Sequence, residues 1–187
     1  MRRRAEQVDE TRQRIVEAAV RLHTTVGAAH TTLTAVAEEA GVTRLTLYRH
    51  FASPDELFVA CRAHWRAQHL PPDPASWAEI PGFEDRLRAA LLDIYGWYRQ
   101  NGADLFPLNR DLAAMPEAFQ EAMRDREARL VALLVGEGGP GEASTGHRRR
   151  AAVAHVTSFW TWRSLAVDQG LSDPDAIDLA MGLVLAA

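Results

Sequence analysis

Residues 31–57 read TTLTAVAEEAGVTRLTLYRHFASPDEL, a stretch that predicts two short helices around a tight turn and the start of a third helix. In the first, residues 33–40, apolar side chains recur at three- and four-residue spacing. Gly41 can adopt the left-handed conformation that ends a helix, and the Thr43 hydroxyl can cap the next helix, residues 44–50. The stretch therefore predicts a helix-turn-helix, the motif whose second helix enters the major groove of DNA.

Amphipathic helices are predicted on both sides of this motif. Residues 9–26 carry Ile15, Ala18, Ala19 and Leu22 at helical spacing, with charged side chains mostly on the other face. Ser53-Pro54-Asp55-Glu56 combines a capping serine, a proline at the first helical position and a glutamate for a capping box. It begins a further helix over residues 54–69. These elements together predict a DNA-binding domain with a connecting helix at residues 9–69.

The rest of the chain predicts a second helical domain over residues 72–187. Four of the nine prolines fall within residues 70–82, which marks the boundary. The glycine-rich stretch 136–146 is predicted to be a mobile surface loop. No alternating Val/Ile/Thr segment long enough for a sheet is present, so the expected class is all-α with about nine helices. The helices beyond the boundary are expected at 83–101, 104–113, 116–135, 147–170 and 173–186.

Charge is divided unequally along the chain. The net charge is −4, yet residues 1–70 hold ten arginines and eight acidic residues, whereas residues 71–187 hold eleven arginines and seventeen acidic residues. A mildly basic first part can approach phosphate while an acidic remainder is repelled. One cysteine excludes an internal disulfide, no apolar run approaches the roughly 20 residues that cross a bilayer, and no secretory signal precedes the first helix. The expectation is a cytoplasmic protein without a membrane partner.

The motif and its flanks resemble the TetR/AcrR transcriptional regulators. The resemblance rests on the long first helix, the run AVAEEAGVTR at residues 35–44, the run LYRHF at residues 47–51, and Leu57. It implies an all-α homodimer with a DNA-binding head and a ligand-binding, dimerising body. In that arrangement Arg44, Leu45 and Thr46 begin the recognition helix, where arginine can bind guanine bidentately. The positions at which family members contact phosphates are occupied here by Thr32, Thr43, Tyr48 and His50.

Alternatives and departures accompany these assignments. Tyr48 could instead pack, and His50 could cap the end of its helix. Pro54 stands where many family members carry a lysine near phosphate, which leaves the free amides of that helix terminus for such a contact. Leu45 replaces a small residue and would either contact a thymine methyl or crowd the groove. The run Arg2-Arg3-Arg4 is expected to be either a disordered arm that reaches DNA or a solvated tail.

Aromatic side chains concentrate in the second domain and suggest a cavity for an apolar or aromatic ligand, with core packing as the alternative for any single residue. The terminal run AIDLAMGLVLAA at residues 176–187 is nearly all apolar, which predicts homodimerisation through the last two helices. The candidate ligand-binding residues are Trp97, Phe106, Asn109, Asp111, Met115, Phe119, His155, Phe159, Trp162 and Arg163.

The combined prediction is a repressor, not an enzyme, released from a pseudo-palindromic operator when a small-molecule effector shifts the helix at residues 54–69. No catalytic triad or phosphate-binding glycine loop is evident, Cys61 and His64 lack a second cluster that would complete a metal site, and no cofactor is expected. Three alternatives remain. The first is an activator or dual regulator, the second an effector-independent DNA-organising protein, and the third an enzyme or small-molecule carrier whose DNA-binding head is vestigial.

Overall fold

The computed structural model describes residues 2–136 and 143–187, with side chains at 6–136 and 146–187, and these residues form no β-strand. The all-α prediction is confirmed. Short 3₁₀ turns lie at Ala28–His30 and Leu112–Ala114, and a π turn lies at Arg163–Asp168. The α-helices are α1 (Arg2–Thr25), α2 (Leu33–Glu39), α3 (Arg44–His50), α4 (Pro54–Gln68), α5 (Ala75–Ala78), α6 (Phe83–Arg110), α7 (Glu117–Val135), α8 (Ala143–Val156), α9 (Phe159–Trp162) and α10 (Asp173–Leu185).

The described residues divide into two compact units. The first comprises the chain up to Leu70 together with Ala103–Glu117, and the second comprises Pro71–Gly102 and Ala118–Ala187. The boundary near residue 70 agrees with the proline-rich stretch. The sequence predicts residues 103–117 in the second domain, whereas they pack with the first unit.

The core of the first unit is built by α1–α4. Helix α1 contributes the predicted inward face, and Leu47 and Phe51 of the helix-turn-helix are almost completely buried against it. The Arg12 guanidinium lies 4.7 Å from the centre of the Phe51 ring, so it also covers the end of α3. The buried members of this core are Ile15, Val16, Ala18, Ala19, Val36, Ala37, Ala40, Leu47, Phe51, Leu57 and Cys61.

Residues 103–117 are bound to the rest of the first unit by polar contacts. The Trp65 indole Nε1 of α4 donates to Asp104 Oδ2 at 2.9 Å. Arg110 Nη2 donates to the Val26 carbonyl at 2.8 Å, and the Ala29 amide donates to Asp111 Oδ2 at 3.1 Å. These contacts hold the end of α6 against the segment that immediately precedes α2.

Gly27 makes the contact with Arg110 and Asp111 possible. Its φ of 99° and ψ of 158° lie in a region that side chains rarely adopt, and a Cβ atom at this position would overlap Asp111 Oδ2 and Arg110 Nη2. The hydrogen bond from Arg110 to the Asp111 carboxylate, at 2.7 Å, is the main reason why the pKa of Asp111 is lowered. We call Gly27, Arg110 and Asp111 the Gly27 contact.

The core of the second unit lies along the first part of α6. Tyr95 is fully buried and its hydroxyl donates to the Val156 carbonyl at 2.9 Å. Trp77 of α5 donates its indole Nε1 to Asp93 Oδ2 at 2.8 Å, and Arg86 Nε donates to the Leu134 carbonyl at 3.0 Å. Burial of these side chains fixes α5, α7 and α8 around α6 through hydrogen-bonded rather than purely apolar contacts.

The predicted helix break at residues 101–104 is wrong. Asn101 stays inside α6, where its side-chain amide donates to the Trp97 carbonyl at 2.8 Å. Gly102 serves close packing instead of ending the helix, because a Cβ there would lie 2.8 Å from Trp162 Cη2. Helix α6 therefore continues to Arg110 with Pro107 inside it.

The structure differs from the predicted helix 147–170 at its start and in its middle. The helix begins at Ala143, so residues 143–146 of the predicted loop are helical, and the loop residues 137–142 lie outside the described part. It is interrupted after Val156 because Ser158 adopts an extended conformation and caps α9, accepting from the Thr161 amide. The chain then continues through the π turn.

The disordered arm that was one of the two alternatives for residues 2–4 is not observed, because α1 begins at Arg2. No described helix is both long and apolar enough to cross a membrane.

Candidate DNA-binding site

Threonine caps begin both α2 and α3, and the cap at Thr43 is the one that the sequence predicts. The Thr32 hydroxyl accepts from the Ala35 amide at 3.1 Å, and the Thr43 hydroxyl accepts from the Thr46 amide at 3.1 Å. Between them Gly41 has a φ of 65°, the left-handed conformation expected of a residue that ends a helix. Each cap satisfies an amide that its helix leaves unpaired, so Thr32 fixes where α2 begins and Thr43 fixes where α3 begins.

Helix α3 divides cleanly into a buried and an exposed face. Leu47 points into the core, whereas Arg44, Leu45 and Tyr48 are exposed, with 63% of Leu45 and 43% of Tyr48 accessible. Arg44 Nη2 donates to the Tyr48 hydroxyl at 3.4 Å. The exposed face therefore presents a cation, an apolar side chain and a phenol side by side, a combination that suits base edges and phosphates.

The other predicted DNA-contacting residues lie at the ends of α2 and α3. Thr32 and Thr43 are exposed, while Thr46 and His50 are half-buried. The Thr43 and Thr46 hydroxyls are hydrogen-bonded to each other at 2.9 Å. Sequence reasoning did not select Arg49, which is also exposed and lies four residues after Leu45. Its i, i+4 spacing from Leu45 was the available signal.

The N-terminus of α4 offers little to a phosphate. The Ser53 hydroxyl accepts from the Glu56 amide at 3.1 Å, and Glu56 Oε2 accepts from the Ala52 amide at 2.8 Å, which completes the predicted capping box. Pro54 has no amide hydrogen, and the carboxylates of Asp55 and Glu56 are exposed in this first turn. The cap takes the Glu56 amide, and the carboxylates of Asp55 and Glu56 would repel a phosphate at this terminus, so a phosphate contact here stays a prediction.

Residues 15–61 match the model of the family described as "Bacterial regulatory proteins, tetR family". Over 60 residues the chain is 48% identical to the HTH-type transcriptional regulator TtgR of Pseudomonas putida. The identity and length are the same for the probable HTH-type transcriptional regulator ArpR, also of Pseudomonas putida. These matches cover 32% of this chain and 29% of each relative, so the chain spans less than a third of their length.

Solved structures extend the likeness to the whole fold. A TetR-like transcriptional regulator from Rhodococcus sp. RHA1 aligns over 94% of this chain and 93% of its own, with a TM-score of 0.63 and 24% identity. A putative TetR-family transcriptional regulator from Rhodococcus sp. aligns over 95% and 98%, with a TM-score of 0.56 and 20% identity. Residues 15–61 are therefore similar to the DNA-binding part of tetR-family regulators, and the fold of the whole chain is similar to that of the two solved structures. The matched relatives are named as transcriptional regulators and not as enzymes.

The residues predicted to bind a ligand are divided between the two units. Phe106, Asn109, Asp111 and Met115 lie in the first unit. There Asn109 donates to the Leu105 carbonyl at 2.8 Å, and both oxygens of Asp111 accept hydrogen bonds in the Gly27 contact. The second unit contains Trp97, Phe119, His155, Phe159, Trp162 and Arg163.

Two buried rings and one half-buried ring of the second unit form an aromatic cluster. Phe159 and Trp162 lie 5.5 Å apart, and Tyr98, which is not among the predicted site residues, lies 5.5 Å from Phe159 and 5.7 Å from Trp162. The Tyr98 hydroxyl donates to the Thr157 carbonyl at 3.0 Å, and burial raises its pKa to about 12, so it stays neutral. Trp162 is 3% exposed, and its Nε1 has no hydrogen-bond partner among the described residues. We call Tyr98, Phe159 and Trp162 the aromatic cluster.

The remaining predicted residues of the second unit surround this cluster less closely. His155 is exposed, and Arg163 lies 3.7 Å from Asp168, an ion-pair distance. An open cavity of about 520 Å³ in this unit contains none of the ten predicted residues. The ligand-binding assignments stay predictions. The cavity is lined by residues 82–85, Arg149 and residues 184–187.

Proposed function

We propose that this protein is a sequence-specific DNA-binding transcriptional regulator, most simply a repressor that leaves its operator when a small ligand binds. The observation that carries the proposal is the exposed face of α3. Arg44, Leu45 and Tyr48 are exposed on this face, while the opposite face of the helix packs against the core of the first unit. The match to the TetR family over residues 15–61 covers this same face. Arg44 would bind guanine, and Tyr48 and the two capping threonines would contact phosphates.

The charge distribution supports approach to DNA by this part of the chain. Residues 1–70 have two more arginines than acidic residues, whereas residues 71–187 have six more acidic residues than arginines. Repulsion of the acidic part would leave the basic part facing phosphate. A role on bacterial DNA would place the protein in the cytoplasm.

A homodimer through the last two helical segments is proposed from their exposed apolar side chains. Leu179 and Leu183 lie one turn apart on α10 and are each about half exposed, as are Trp160 and Val167. A second copy that covered them would bury apolar surface at about 25 cal/mol per Å². Two recognition helices spaced about 34–36 Å apart would then match successive major grooves of a pseudo-palindromic operator.

The aromatic cluster supports an apolar or aromatic effector in the second unit. Trp162 offers a buried N–H donor without a partner among the described residues, so a ligand with a hydrogen-bond acceptor would satisfy it. Helix α6 contributes residues to both units, and its last part bonds to Trp65 and Val26. We therefore place the coupling in α6, which would move α4. A coupling free energy of about 1–3 kcal/mol gives a 5–150-fold change in operator affinity.

The DNA-binding part of the proposal is tested by selecting binding sites from random double-stranded DNA with the purified protein. Enrichment of one pseudo-palindromic sequence is expected. Arg44→Ala and Tyr48→Ala should then bind that sequence about 5–150-fold more weakly, because each removes a contact of about 1–3 kcal/mol. Arg124→Ala is the matched control, since Arg124 is an exposed arginine on α7 in the second unit and its loss should leave affinity unchanged. If all three variants bound the selected sequence as tightly as the wild type does, α3 would not be the helix that reads it.

The dimer and effector parts need separate measurements. Sedimentation equilibrium should give a dimer for the wild type and a shift toward monomer for Leu179→Glu, because the substitution places a charge on the proposed interface. A panel of aromatic and apolar ligands should include one that weakens operator binding and quenches tryptophan fluorescence, with Trp162→Phe reducing both effects. Operator affinity unchanged by the whole panel would favour an effector-independent DNA-organising protein.

A further inference from the structure

Leu45 is unusual among the exposed side chains of α3 because it has no polar atom. It is the second residue of α3, and 63% of its surface is accessible. One exposed leucine is ordinary on a protein surface, so exposure alone decides nothing. Its position in the helix points to a role in DNA recognition, since the first residues of a recognition helix are those that contact base edges.

The polar side chains next to Leu45 are hydrogen-bonded to one another, so the exposed face of α3 is apolar at Leu45. The hydroxyls of Thr43 and Thr46 are bonded to each other, and the Arg44 guanidinium is directed to the Tyr48 hydroxyl. Leu45 can neither donate nor accept a hydrogen bond, so it cannot distinguish bases by their donors and acceptors. The major groove of unmodified DNA presents one apolar group, the C5 methyl of thymine.

We propose that Leu45 determines operator specificity by contacting the C5 methyl of a thymine at one position of each half-site. The inference rests on the proposed function and adds the base that one side chain selects. Contact would remove both the methyl group and the leucine side chain from water, and a buried methyl-sized group is worth about fourfold in affinity per half-site. A 5-methylcytosine would offer the same methyl, and a binding site selected from unmethylated DNA excludes that source.

The test replaces thymine by deoxyuridine, which pairs identically with adenine and lacks only the methyl. Each thymine of one operator half-site, on both strands, is replaced in turn, and affinity is measured by fluorescence anisotropy. Wild type is expected to lose about fourfold at one position, and Leu45→Ala to bind thymine and uracil there equally well. Val59→Ala is the matched control, because Val59 on α4 is 66% exposed and should show the wild-type response.

The outcomes separate this inference from the proposed function. Circular dichroism should show that Leu45→Ala is folded, since the side chain packs little in the protein. An operator with no uracil-sensitive position, or a sensitivity that Leu45→Ala retains in full, would overturn the role of Leu45 and leave a DNA-binding regulator. Failure of the wild type to select any sequence would overturn the proposed function and this inference with it.

Discussion

Gly27→Ala tests the contact that joins the end of α6 to the segment before the helix-turn-helix. The backbone of Gly27 has φ 99° and ψ 158°, a conformation essentially restricted to glycine that costs about 1–3 kcal/mol for any other residue. The new Cβ would also overlap Asp111 Oδ2, which accepts from the Ala29 amide. Loss of that hydrogen bond adds about 1 kcal/mol. We expect a total destabilisation of about 3 kcal/mol, the sum of the two contributions.

Two other glycines separate these contributions. Gly41 has a φ of 65°, but a Cβ added to it would meet no atom within 4 Å, so Gly41→Ala should cost only the conformational penalty of about 1–2 kcal/mol. Gly96 lies inside α6 with equally open space, so Gly96→Ala should stabilise by about 0.5–1 kcal/mol. Glycine to alanine is therefore predicted to lower the free energy of unfolding at Gly41 and to raise it at Gly96.

The assay is urea denaturation followed by circular dichroism in the far ultraviolet, with hydrogen exchange of the amides in residues 28–40 as a local readout. The double variant Gly27→Ala with Asp111→Ala should cost less than the sum of the two single variants, because each substitution removes the same hydrogen bond from the Ala29 amide. If Gly27→Ala cost no more than Gly41→Ala, or if the two substitutions were additive, the Gly27 contact would not constrain the fold.

Three further predictions concern single side chains. Thr43→Ala removes the cap of α3 and should lower the free energy of unfolding by about 1 kcal/mol, whereas Thr43→Ser should preserve it, as urea titration would show. Cys61 is buried and its pKa is raised to about 12, so iodoacetamide at mildly alkaline pH should alkylate only the unfolded protein, and rapid native labelling would contradict this. The pKa of Asp111 is lowered from its ordinary value of 3.8, so its stabilising contribution is present above that value and lost as pH falls through the lower folded value. Asp111→Asn should therefore flatten the acid side of the stability profile, and an unchanged profile would show that this carboxylate is not stabilised in the fold.

The parts of the fold that depend on neighbouring residues could be predicted from the sequence. The caps at Thr32, Thr43 and Ser53 each bind an amide three residues later, so the signal and the structure lie within one turn. The alternation of buried and exposed faces in α1 and α3 follows from helical periodicity in the same way. These local rules are sufficient to place the candidate DNA-binding face.

The parts that depend on distant residues could not be predicted in this way. Glycine commonly ends helices, which makes Gly102 look like a helix end, but its function is to admit the ring of Trp162, far along the chain. The sequence around Asp111 does not show that one of its oxygens accepts from the Ala29 amide, 82 residues away. Likewise, nothing in the local sequence of Tyr98 shows that Phe159 and Trp162 pack against it.

Equilibrium binding to the selected operator across a salt series tests whether α3 reads a specific DNA sequence. Labelled operator is titrated with the wild type in the presence of excess scrambled duplex, and affinity is recorded by fluorescence anisotropy between about 50 and 200 mM salt, the range over which phosphate contacts weaken strongly. We expect binding that survives the competitor and a log–log salt slope of about −0.9 per phosphate contact, with a shallower slope for Tyr48→Ala. Equal affinity for operator and scrambled DNA would contradict the assignment of α3 as a sequence-reading helix.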